Sequence, residues 1–176
     1  MSTISGYRQP DSDEYSVGLI ARSQRLQIRM EDIEEVKAKF VGAQFEDKVF
    51  EVEADSIVGF SKACGETSPR FIDPSHPDFQ APPTFASCFA RGRNMPKDFP
   101  TFGGVAFDGG KDVQPHAPIR PGVSLVGRSH VHDVYAKSGR SGRMVFVVTR
   151  MELSTKDGTP VATADTRLVI REKIES

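Results

Sequence analysis

The chain has 176 residues, 38% of them apolar and 27% charged, with a formal net charge of −1. That length supports one sizeable domain with a core, and the charge balance gives no electrostatic reason to expect nucleic acid or an acidic membrane as a partner. Cys64 and Cys88 are too few for a disulfide framework, and their spacing fits no metal motif, so both are expected to be buried and reduced, with no metal site. With no secretory segment and no apolar run near twenty residues, the expectation is a soluble cytoplasmic protein without membrane insertion.

In chain order, residues 1–30 form an N-terminal arm. Up to about Glu14 the arm is polar, with Gly6 and Pro10 and little to bury, and reads as disordered or loosely docked. Residues 15–30 fit strand and helix equally. From residue 31 a single domain is expected to run to residue 176. Ile33, Val36 and Phe40 keep the i, i+3, i+7 spacing of one helical face. Asp32 with Glu35 makes a capping box, and Gly42 ends the helix. Val49, Phe50 and Val52 predict a short strand over 48–53. Next, Ala54-Asp55-Ser56 offers capping side chains to a helix that carries Ile57, Val58, Phe60, Ala63 and Cys64 and stops at Gly65. Residues 66–83 hold five prolines and cannot stay regular, so they predict a long functional overhang.

After Pro82-Pro83, the uncharged run Thr84-Phe85-Ala86-Ser87-Cys88-Phe89-Ala90 predicts the start of a buried central helix. Three β-rich runs follow, over 124–135, 143–154 and 159–172. The linkers Lys137-Ser138-Gly139-Arg140-Ser141-Gly142 and Thr155-Lys156-Asp157-Gly158 have hairpin composition. A three-stranded antiparallel meander curved around an apolar helix is an α+β hot-dog domain.

From about Phe40 to Arg171 the chain resembles the MaoC-like, FAS1-like dehydratases of the (R)-specific enoyl-CoA hydratase superfamily, as an N-terminal-type half-domain. The residues that carry the likeness are Phe40-Val41-Gly42 with Phe45, then Gly65-Glu66 with Ser68-Pro69, then Ala81-Pro82-Pro83-Thr84-Phe85. His116, Pro118-Ile119-Arg120-Pro121-Gly122 and Gly139-Arg140-Ser141-Gly142 with Val145-Phe146-Val147-Val148-Thr149 extend it. Active members carry Gly-Asp-x-Asn-Pro-Leu-His in the overhang. Here Gly65 and Pro69 match, while the catalytic Asp falls on Glu66, the Asn on Ser68 and the catalytic His on Phe71.

The resemblance implies hydration of a trans-2-enoyl thioester, or dehydration of a 3-hydroxyacyl thioester, by an Asp/His pair holding one water. The substrate would be an acyl-CoA or acyl-carrier-protein thioester, with no further cofactor. Backbone N–H groups at the central helix start would polarise the thioester carbonyl; that start falls on Pro83, Thr84 and Phe85. Phe71 cannot move a proton. Glu66 is the candidate catalytic carboxylate, or else a brace for the loop. His76 is the local candidate histidine, or else an ordinary loop residue. Arg91 and Arg93, with Lys97, are a candidate anion contact for the thioester's phosphates, or else a solvated helix end. Asp73 reads as an Asx-turn residue and His116 as a loop anchor. His130 and His132 share a strand face, with no third metal ligand at suitable spacing.

A lost dyad on a retained fold implies division of labour. A single short hot dog leaves a sheet edge to be completed, so a homodimer, or a heterodimer with a dyad-bearing hot-dog subunit, is expected. Two alternatives stand beside that expectation. One is an independently active hydratase using Glu66, and the other is a non-catalytic acyl-CoA-binding or scaffold protein.

Overall fold

The computed structural model describes residues 33–90, 95–100, 102, 104–139 and 142–171. The chain divides into a short unit, Met1–Glu35, and a larger one, Val36–Ser176, which carries the sheet. Asp32, and with it the capping box, lies outside the described residues, as do residues 1–30.

Helix α1 covers residues 33–40. Val36 and Phe40 turn inward while Ala38 and Lys39 are exposed, and the Phe40 ring meets Phe99 edge-on at 5.1 Å. Gly42 follows with φ +84°, the left-handed position that a helix-ending glycine takes without Cβ strain. Its N–H donates to Val131 O at 2.8 Å, tying the helix exit to the sheet.

Strand β1 (Gln44–Glu51) starts earlier than its apolar residues suggest, because the charged stretch Glu46-Asp47-Lys48 lies on an exposed edge. Helix α2 (Ala54–Ala63) follows. Its N-cap is Glu53, without a side-chain capping bond, so the capping expected from Asp55 and Ser56 does not occur. Both residues sit one and two places inside the helix, past the position from which a side chain caps. The helix ends before Gly65, φ +78°, where the sequence places the stop.

The expected central helix is the main departure. Pro83–Cys88 forms a six-residue 3₁₀ turn. Pro83 contributes no N–H, and the Phe85 N–H closes onto Pro82 O at 2.9 Å, an i to i+3 bond that tightens the first turn below α-helical pitch. Residues 91–94 are outside the described set.

Strands β2 (Val105–Pro115), β3 (Ser124–Gly139), β4 (Gly142–Thr155) and β5 (Pro160–Arg171) complete one five-stranded antiparallel sheet in the order β1-β3-β4-β5-β2. The β3-β4-β5 meander is the one the sequence predicts. Gly158, at φ +90°, closes the β4–β5 turn, with its N–H on Thr155 O at 3.0 Å. Strand β2 was not foreseen. Gly109 and Gly110 break its apolar pattern, and they stand where its register against β5 slips between Asp108 and Lys111.

One sheet face buries Leu125, Met151, Leu153 and Ala162 against Ile57 of α2 and Phe85 and Ala86 of the 3₁₀ turn. Burying each large aliphatic side chain contributes about 1.5–3 kcal/mol. On the other face Arg150 and Asp165 are register partners, joined by two hydrogen bonds. Cys64 is exposed and Cys88 half-buried, not buried as expected. Cys64 caps the helix at its solvent side. No described helix is long and apolar enough to cross a membrane.

Candidate active site

The overhang leaves α2 through a tight exit, where Glu66 N–H donates to Ser61 O at 3.0 Å. Pro69–Ile72 forms one helical turn, α3, begun by Pro69 with its preset φ. Arg70 and Gln80 close the loop on itself. Gln80 N–H donates to Arg70 O at 3.1 Å, and Arg120 Nη1 reaches Phe79 O at 3.3 Å from below. Asp73 makes the predicted Asx turn, accepting from Ser75 N at 2.9 Å and from Ser75 Oγ at 2.7 Å. The Ser75 hydroxyl, and next its N–H, hold the Asp73 carboxyl below its ordinary range.

Within this loop Glu66 and Phe71 are both half-buried. His76 is turned to local work: its Nδ1 accepts the Asp78 N–H at 3.1 Å. Among the described residues no hydrogen bond joins Glu66 to His76.

A cleft of about 530 Å³ opens between β1, α2 and the 3₁₀ turn. Phe50, Val52, Phe60, Phe85 and Phe89 line its apolar part, and Glu46, Lys48 and Glu53 stand among its charged residues. The four rings form a continuous chain: Phe50 to Phe89 at 4.9 Å, Phe89 to Phe85 at 5.4 Å, Phe85 to Phe60 at 5.4 Å. Tilted and edge-on contacts of this kind stabilise aromatic pairs beyond their area. Of the sequence candidates among the described residues, only Phe85 lines this cleft. Phe50, Phe60 and Phe89, which line the cleft, were not among those candidates, although Phe85 and Phe89 stand four apart and the alternation Glu46, Lys48, Phe50 was available in the sequence.

Thr84 is exposed beside the cleft's Phe85, and its N–H has no protein acceptor among the described residues, whereas the Phe85 N–H is occupied by Pro82 O. Pro83 precedes them without a donor. Lys111 of β2 holds the far end of the 3₁₀ segment, donating to Ser87 O at 3.1 Å and Ala90 O at 2.8 Å.

Arg91 and Arg93 lie outside the described residues. Lys97 lines a second cleft of about 660 Å³ with Phe45, Phe99, Leu168 and Ile170. His116 anchors its loop through the backbone, with its N–H on Val161 O at 2.8 Å. The His130 and His132 rings meet edge-on at 5.9 Å, and no group of three metal-ligating side chains occurs among the described residues.

This sheet, overhang and cleft can be set beside known proteins. The sequence profile described as the FAS1-like dehydratase domain region matches residues 39–164. The chain belongs to this family. A UPF0336 protein of Saccharopolyspora erythraea is 31% identical to this chain over 147 residues, covering 77% of this chain and 92% of that one. Among solved structures, the ChsH1–ChsH2 complex of Mycobacterium tuberculosis superposes with a TM-score of 0.65 at 20% identity, over 84% of this chain and 95% of the other. The HadBC (3R)-hydroxyacyl-ACP dehydratase complex of the same organism gives 0.53 at 24% identity, over 72% and 92%. A MaoC-like dehydratase from Phytophthora capsici gives 0.58 at 18% identity, over 73% of this chain and 46% of the other. These likenesses establish the MaoC-like hot-dog fold.

Proposed function

We propose that this FAS1-like dehydratase chain is an acyl-thioester-binding subunit of a hydratase/dehydratase, with most of the acid–base chemistry supplied by a partner hot dog. The observation that carries this reading is Phe71. It stands half-buried on α3, where the family pattern has its histidine, and among the described residues Glu66 has no histidine in hydrogen-bond contact. Loss of a positioned acid or base costs about 10²–10⁴-fold in rate. The binding half is kept. The aromatic cleft suits an acyl chain, and the Thr84 N–H beside it is a donor for a thioester oxygen.

The partner is argued from the sheet. Strand β2 is a long edge of eleven residues, with Val105 61% and Phe107 45% exposed, and an edge of that kind is a template for pairing. Two of the similar structures are complexes of two named components.

The test is turnover of a trans-2-enoyl thioester by the purified chain, alone and mixed with a hot dog bearing an intact Asp/His dyad. Thioester binding without turnover alone, and a rate raised above the partner's own on mixing, are expected. Turnover by the chain alone that disappears in Glu66→Ala would instead make it an independent hydratase. Binding with no gain on mixing would make it a scaffold.

A further inference from the structure

We infer that Gly127 and Phe50 together set the length of acyl chain the cleft accepts, with Gly127 acting as the recess that keeps the Phe50 ring out of the cleft. This rests on the reading of the cleft as an acyl site.

Gly127 is in the interior of β3, paired with Lys48 on one side and Leu153 on the other. Glycine weakens a strand interior and marks a close approach of something else. Its backbone is not left-handed, so the requirement is for space. A Cβ there would lie 2.7 Å from Phe50 Cε2, 3.0 Å from Met151 Sδ and 3.3 Å from Leu153 Cδ2. Carbon atoms pack at about 3.5–4.0 Å, so the ring would have to move by about 1 Å. Met151 and Leu153 are 3% and 1% exposed and sit in the packed core, where little yields. The Phe50 ring is partly buried and borders the cleft, with the Phe89 ring in contact beside it at 4.9 Å. The cleft is therefore the direction in which it gives way, and a methyl at position 127 is converted into lost cleft space.

Two substitutions should then act with opposite sign. Gly127→Ala pushes the ring inward and shortens the cleft. Phe50→Leu withdraws bulk and lengthens it. The double variant places the new methyl in space that Phe50→Leu has vacated, so it should restore the wild-type ladder.

The experiment is calorimetric binding of a saturated acyl-CoA series, butyryl to palmitoyl, to the full chain and the three variants, with a thermal melt of each. The expected result is a palmitoyl-to-butyryl affinity ratio lowered about tenfold in Gly127→Ala, the scale of one or two methylenes in an apolar pocket. Phe50→Leu should raise that ratio, and the double variant should return it. Should Gly127→Ala fail to fold, Phe50→Leu and the double variant still carry the comparison. A wild-type chain that binds the series while the variants keep the same ratio overturns this inference and leaves the acyl-binding function standing. A wild-type chain that binds no member of the series overturns both.

Discussion

Arg70 and Gln80 close the overhang from both sides. Gln80 N–H donates to Arg70 O at 3.1 Å, and the Gln80 side-chain oxygen, in the amide orientation that satisfies both its ends, accepts from Arg70 Nη2 at 2.6 Å and Nε at 2.9 Å. Gln80 is 8% exposed, so this pairing is what makes an irregular, proline-rich segment hold one shape. Gln80→Ala should cost about 2 kcal/mol in urea unfolding, the scale of a hydrogen bond to a charged group lost from a buried site. Amide exchange should speed up across residues 66–80 and stay unchanged in β4. Uniform acceleration would show that the pairing stabilises the whole domain and not the loop.

Asp165 is a second buried polar group, and here the partner is charged. Arg150 Nε and Nη2 donate to its two oxygens at 2.7 and 2.8 Å. That bidentate contact, before any other influence, raises the Arg150 guanidinium above its ordinary value. Asp165→Ala leaves a partly buried cation unpaired, and an unfolding loss of about 3 kcal/mol is expected. Arg150→Met with Asp165→Leu should recover most of it. A double variant as unstable as the single one would mean that the charge pair itself, and not the orphaned partner, accounts for the loss.

The altered overhang can be tested by restoring it. Phe71→His with Glu66→Asp should hydrate a short trans-2-enoyl thioester about 10²-fold above the background rate seen with the unmodified chain, the lower end of what a positioned acid–base group supplies. Glu66→Ala in the Phe71→His background should abolish the gain. Equal rates in all three chains would show that Phe71 does not occupy the histidine's place in space.

Acid sensitivity should be concentrated in two turns. The Thr155 hydroxyl, followed by the Thr159 N–H, holds the Asp157 carboxyl below its ordinary 3.8, and Ser75 does the same for Asp73. A carboxyl depressed in the folded state contributes stability that is complete above the unfolded value. It is lost as pH falls below 3.8 through the folded one. Asp157→Asn and Asp73→Asn should therefore flatten the fall of the melting temperature with pH in that window and leave its neutral-pH slope unchanged. A slope at pH 4 and below identical to the parent chain's would place the acid response elsewhere.

Much of this architecture is written locally. The apolar run Val145-Phe146-Val147-Val148 and the turn at Asp157-Gly158 define β4, its hairpin and its neighbour from nearest-neighbour preferences alone. Gly42 and Gly65 end α1 and α2 because only glycine takes a positive φ without cost. The prolines between 69 and 83 forced an overhang, and its departure from the Gly-Asp-x-Asn-Pro-Leu-His pattern at Glu66, Ser68 and Phe71 was readable there.

Tertiary structure decided the rest. Strand β2 exists because β5 offers it an edge, and its Gly109-Gly110 bulge hides it from any alternating pattern. The segment after Pro82-Pro83, helical by composition, is held as a 3₁₀ turn by the bond from Phe85 N–H to Pro82 O, while Lys111 fixes its other end from β2. The cleft draws Phe50, Phe60, Phe85 and Phe89 from three elements that no spacing rule links. His76 and Glu66 are near in sequence, yet the loop's own hydrogen bonds direct the histidine to Asp78. Local residue preferences determined the β3-β4-β5 meander, the helix stops and the altered loop. Register and packing, which depend on residues far apart in the chain, decided which side chains meet.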